Sequence, residues 1–163
     1  MKKGWIAALV AVVVVAVVAA VFLLNGGKDP AKDAAQNALT TLFSCTQNSM
    51  DEFDEFLAGE NVDDAALVEY FGQKYPDLMT QKGFEKALSN RLFTRVYQAS
   101  KGAGADFVVK SVTLSDRAGE TDGRQYNFEV VMQDESHGVT GAVLLVEEQG
   151  TWLVDVLTVD SLK

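Results

Sequence analysis

Arg91 and Arg95 stand one helical turn apart. Two guanidinium forks at that spacing can grip an anionic ligand, a carboxylate or a phosphate, in bidentate fashion. Phe84 and Leu88 precede them on the same helical pattern, which would put the pair at the mouth of an apolar cavity. A plainer use competes with this one. Residues 51–64 hold seven acids and no base, and two long arginine side chains can lie along the surface to pair with them. The plainer use is favoured, since exposed pairs of this kind are common and individually weak.

The other reactive residue types are sparse. His137 is the sole histidine and falls in a short turn among charged residues, where a solvated side chain is the default. Nucleophilic catalysis would need it to meet a serine or Cys45 inside a cleft, and a turn tip is a poor place for that. Cys45 is the sole cysteine, so no internal disulfide is possible, and its setting beside Leu42 and Phe43 in a helical pattern suggests a half-buried structural thiol. Residues 36–41 ahead of it are not an apolar run, so it is no lipid-modification signal either. Neither the acidic stretch nor Asp116, Glu120 and Asp122 has the spacing of a calcium loop. Gly102, Ala103 and Gly104 follow a helix and precede a strand, the reverse of the order that cradles phosphate. No metal and no cofactor are expected.

The elements that must position these residues begin with a membrane segment. Residues 5–24, opening on Trp5 and closing on Leu24, are 20 positions without a charge. As a helix they span about 30 Å, the thickness of a bilayer's hydrocarbon core. The run is apolar all round and longer than the core of a cleaved signal, which favours a retained anchor over secretion after cleavage. Lys2 and Lys3 ahead of it favour a cytoplasmic N-terminus. Residues 1–25 are thus expected to be the anchor, residues 26–29 a linker, and residues 30–163 an extracytoplasmic domain. Removing the anchor removes two lysines and no acid, leaving 12 basic against 23 acidic residues, a net charge of −11. Such a domain repels nucleic acid and anionic headgroups.

Within the domain, helical spacing predicts a first helix over residues 30–47 behind Asp29 and Pro30. A capping box from Ser49 to Glu52 opens a second helix with Phe53, Phe56 and Leu57. A third runs over residues 64–71 behind Asp63, and a long last helix runs from Thr80 to the glycines at 102 and 104. The period then changes from helical to alternating. Strands are expected over residues 105–114, 124–133, 139–147 and 151–159, joined by hairpins too short for anything but antiparallel pairing. Helices first and a four-stranded antiparallel meander afterwards make an α+β domain.

The strands beginning at Phe107 and Arg124, and above all the ending VLLVEEQGTWLVDV from Val143 to Val156, resemble the nuclear transport factor 2-like superfamily, in particular its small bacterial membrane-anchored and lipoprotein members. Gly150 and Trp152 stand where those domains carry a glycine turn and a tryptophan-led last strand. The resemblance implies a cavity between sheet and helices, with Trp152 at its wall or rim. Enzymes of that fold, such as ketosteroid isomerase, work with an inward carboxylate and a tyrosine. The nearest counterparts are Asp155 and Tyr126. An inward Asp155 would have its pKa raised by burial toward that of a base, but alternation allows equally that it lies on the wet face of an end strand, which is the favoured reading.

These readings converge on a non-enzymatic, membrane-anchored module that binds a protein or small ligand outside the cytoplasm. Two alternatives stand beside it: a scaffold subunit of an envelope or secretion assembly, and a small cavity enzyme using Asp155. The candidate ligand-contacting residues are Trp152, Tyr126, Asp155, Arg91 and Arg95.

Overall fold

A computed structural model of the chain describes residues 29–59, 62–119 and 122–163. The expected anchor and most of its linker lie outside the described residues. Among the described residues no helix is long and apolar enough to cross a membrane.

Asp29 starts the domain. Its Oδ1 accepts hydrogen bonds from the backbone N–H groups of Ala31 and Lys32, and Pro30 occupies the first turn, where no N–H is missed. Helix α1 (Pro30–Phe43) buries Ala35, Ala38, Leu39, Leu42 and Phe43 along one stripe. It ends earlier than the spacing predicts. Ser44 turns extended, and Cys45 exchanges two backbone hydrogen bonds with Phe107, at 2.7 and 2.8 Å, so the thiol sits in a β-bridge and not on a helix. Helix α2 (Gln47–Leu57) is therefore capped by Thr46, whose hydroxyl accepts from Ser49 N–H, in place of the expected box on Ser49.

Helix α3 (Asp64–Lys74) begins behind Asp63 as predicted and runs three residues further than expected. The long last helix is two. Helix α4 (Gln81–Ser89) stops at Asn90, Arg91 adopts a left-handed backbone (φ 54°), and helix α5 (Leu92–Ala103) starts in a new direction. A single rod over these residues would be about 35 Å long. It could not lay Gly83 and Ala87 on the sheet and also turn Phe93 and Tyr97 toward Phe53 and Phe71, which is what the break achieves.

Strands β1 (Val109–Asp116), β2 (Arg124–Met132), β3 (Gly138–Glu148) and β4 (Thr151–Leu162) form one antiparallel sheet in the order 1-2-3-4. Tyr126, Phe128, Val130 and Met132 on β2, with Val139, Val143 and Leu145 on β3, are buried against the helices. Asn127, Glu129 and Thr140 between them are exposed, so the helices cover one face of the sheet. The α+β architecture, helices and then a four-stranded antiparallel meander, is thus the one the patterning predicts, with five helices in place of the four expected.

Strand β4 carries two irregularities. Leu144 pairs with Val156 and Leu145 with Val154, leaving Asp155 as an extra residue; Thr140 pairs with Ser161 and Gly141 with Val159, leaving Asp160. Each bulge shifts the alternation by one. Trp152 and Val154 pack on the core before the first bulge, Leu157 and Val159 between the two, and Leu162 after the second.

Candidate functional site

The first bulge decides what Asp155 does. A regular strand would place Val154 and Asp155 on opposite faces, yet both are buried, Asp155 at 8 % exposure. Thr80 Oγ1 donates to its Oδ1 at 2.9 Å and Lys82 Nζ to its Oδ2 at 2.8 Å. The same Thr80 oxygen accepts from Gly83 N–H, the cap of α4. Residues 78–80 also run beside β4, with Thr80 N–H on the Val154 carbonyl and Val154 N–H on the Leu78 carbonyl. A side chain on Gly83 would press into the Val154 carbonyl oxygen and stand 3.1 Å from that of Asp155, so only glycine lets α4 come this close. Two expectations are corrected together. Asp155 is not on the wet face, and its pKa is not raised: the Lys82 ammonium, with help from Thr80 and against the cost of burial, holds the carboxyl below its ordinary range. Near neutral pH it is a carboxylate paired with Lys82 and Thr80.

Tyr126 is buried on β2, and its hydroxyl donates to Asp29 Oδ2 at 3.2 Å. Burial first, and then the Asp29 carboxylate, push that hydroxyl up to about 12. It thus ties the start of α1 to the sheet. Tyr126 lies opposite Val143, and Val143 opposite Leu157, so all of β3 separates it from the strand of Asp155. Trp152 is half-buried opposite Glu147 beside the β3–β4 turn. Arg91 and Arg95 are exposed at the start of α5. Among the described residues neither pairs with the acidic stretch. Two lysines do so instead: Lys74 reaches Glu52 at 3.7 Å, and Lys101 reaches Asp54 at 2.8 Å beside the Tyr97 hydroxyl, which also bonds Asp54. The five residues singled out in the sequence therefore do not converge on one point. Trp152, Asp155 and Tyr126 lie on the helix-covered side of the sheet, with β3 between Tyr126 and the other two, and the two arginines stand apart on α5.

Sequence reasoning missed a polar niche between Cys45 and the aromatic side of the helices. It is about 20 Å³ in volume, with Cys45, Ser49, Tyr70, Lys74 and Tyr75 around it and Phe53, Phe71 and Phe93 as apolar wall. The Tyr70 hydroxyl is buried there with no hydrogen-bond partner among the described residues. Burial pushes the Cys45 thiol and the Tyr70 hydroxyl up, and pushes the Tyr75 hydroxyl far above its ordinary range. All three are neutral at pH 7, in a space that suits one water molecule. No regular spacing links Cys45 to Tyr70 and Tyr75, so nothing in the sequence marks the niche. Among the described residues no group of three or more His, Cys, Asp or Glu is placed to hold a metal ion.

The remaining surface feature is the joint of α2 and α3. Phe53 and Phe71 meet with ring centres 5.3 Å apart, and Phe56 stacks on Tyr70 at 4.5 Å. Leu57 and Val68 on the same two helices are 44 % and 49 % exposed. Comparison of the chain with protein-family models, with curated proteins and with solved structures gives no match.

Proposed function

We propose that this protein is a non-enzymatic interaction module held outside the cytoplasm by its N-terminal apolar run, with a domain of the nuclear transport factor 2-like kind. The observation that carries the reading is the commitment of Asp155 and Tyr126, the pair an acid–base site of that fold would use. Asp155 holds α4 to β4 through Thr80 and Lys82, and Tyr126 holds the first turn of α1 through Asp29. Each is spent on positioning an element, and β3 lies between them. The water-sized niche at Cys45 offers no room for an organic substrate. What supports anchoring is the uncharged run from Trp5 to Leu24, and what supports the superfamily is the order of helices and meander with its ending at Gly150 and Trp152.

The test uses the full chain in its own membrane. After alkaline carbonate extraction the protein stays in the membrane pellet, and protease added outside intact cells, once any outer barrier is opened, digests the domain. Photo-crosslinking residues placed at exposed positions along α2, α3 and α5 then yield discrete adducts with a second protein. Recovery in the soluble fraction would remove the anchor, and absence of adducts at every position would remove the interaction reading. An activity abolished by Asp155→Asn with the fold intact would install the enzyme in its place.

A further inference from the structure

The helices cover one face of the sheet. On the other, Leu144 and Val146 of β3 lie opposite Val156 and Leu153 of β4. Alternation along β3 turns this pair of rows away from the buried Val143 and Leu145. All four side chains are half-buried, yet none packs on the core, whereas Trp152, Leu157 and Val159 of the same strand do. Ala142, Gln125, Asn127 and Thr158 adjoin them on that face, so the patch itself carries no charge, and the exposed Glu129 and Glu148 lie at its borders. An aliphatic patch on an otherwise polar sheet face marks a contact surface.

The chain outside the described residues says what it touches. Residues 1–28 end at Asp29, which the Tyr126 hydroxyl holds at the end of the sheet where β1 turns into β2. Strands β3 and β4 are joined at that same end, and Leu144 directly follows Val143, the residue opposite Tyr126. The patch therefore lies where the chain arrives. From Leu24 to Asp29 the chain reaches at most about 18 Å. On the anchored reading, on which this inference rests, that reach keeps the patch beside the bilayer. Its size argues against a protein partner: four half-exposed aliphatic side chains offer on the order of 200 Å², against the ~800 Å² that each partner gives to a stable interface. A tether that already holds domain and lipid together needs no such area, because the second contact is intramolecular. We infer that the patch rests on the bilayer that holds the anchor, over zwitterionic lipid, and tilts the domain so that the β3–β4 hairpin lies down and the helices face away. Neutral headgroups are required because exposed Asp116, Asp122, Glu147 and Glu148 outnumber Arg117 and Arg124 at this end and repel anionic ones.

The test uses the full chain, one copy per nanodisc of phosphatidylcholine, with a polarity-sensitive dye on Leu153→Cys. The unchanged protein, whose Cys45 is buried, is the labelling blank, and Asn37→Cys, exposed on α1, is the control on the helical side. The dye at 153 emits at shorter wavelength than the dye at 37 and is quenched by lipid carrying a nitroxide near its headgroup, and the dye at 37 is not quenched. Leu144→Glu with Val156→Glu returns the emission at 153 to that of water. Both positions lie on the open face, and a far-ultraviolet spectrum like that of the unchanged protein shows this variant folded; where it is not, the comparison of 153 with 37 decides. Replacing half the lipid by an anionic one weakens the quenching. Water-like emission at 153, or a blue shift that nitroxide lipid does not quench, overturns the proposal. So does a shift that appears only when two copies share a disc, which gives the patch to a second copy. Stronger quenching in anionic lipid overturns the choice of a neutral surface. A chain that stays out of the discs removes the anchored module and this contact with it, whereas an anchored chain whose position 153 is in water removes the contact alone.

Discussion

The helical layer is stitched to the sheet at two places with the same backbone device and opposite chemistry. On the β1 side Cys45 bridges Phe107, and the fully buried Ser100 hydroxyl donates to the Ala105 carbonyl at 2.7 Å with the Cys45 carbonyl also in reach at 3.2 Å. Cys45, Phe107 and Ser100, which make the bridge, are neutral and buried, while the Asp106 carboxylate beside them is exposed and accepts from Gln47 N–H. On the β4 side residues 78–80 run beside Val154, and the locking element is a carboxylate held by Thr80 and by a lysine whose side chain is 64 % exposed. A seam built on neutral groups is indifferent to pH and salt. One built on Asp155 responds to both, through the charge that Lys82 stabilises.

Four substitutions sharpen or break this comparison, each read by urea unfolding of the full chain in mild detergent. Phe107→Ala removes a fully buried ring from the neutral seam and lowers stability by about 4 kcal/mol. A loss below about 1 kcal/mol would mean that the β1 seam is not packed as described. Gly83→Ala drives a methyl group into the β4 backbone and costs about 2 kcal/mol by overpacking, at any pH. Were it neutral, α4 would not rest on the bulge. Asp155→Asn removes a charge-assisted pair and costs about 2 kcal/mol at pH 7. Because the folded pKa is depressed, the contribution is full above the unfolded carboxyl value of about 3.9 and disappears as pH falls through the folded one. The unchanged protein should therefore converge on the variant in acid; a constant gap from neutral to acidic pH contradicts the assignment. Ser100→Ala has the smallest effect, about 1 kcal/mol, and the same at both ends of that range. A pH-dependent loss at Ser100 would erase the distinction between the seams.

Much of the fold was legible because it depends on local chemistry. Asp29, Asp63 and Thr80 announce the helices they cap, and the alternation of Tyr126, Phe128, Val130 and Met132 identifies the buried face of β2. What escaped was set by distant partners. No glycine or proline marks the break at Arg91; it exists because α4 answers to β4 and α5 to Phe53 and Phe71. Cys45 leaves the helical pattern to meet Phe107, 62 residues on in the chain. The candidate site suffered most, because its central question was which way Asp155 points. Alternation answers that only on a regular strand, and the bulge that changes the answer belongs to the pairing of β4 with β3 and with residues 78–80.

The hydrogen bond from Tyr126 to Asp29 places the chain's entry at the end of the sheet where β1 turns into β2. Lys163 exchanges backbone bonds with Gly138, at the opposite end, where β2 turns into β3. Tension applied between these two points runs along the strands, not across them. Strand β4 would be dragged lengthwise over β3, with the ten residue pairs of that ladder resisting together, where a peeling force would meet them one at a time. Under that load the sheet behaves as a clamp in shear.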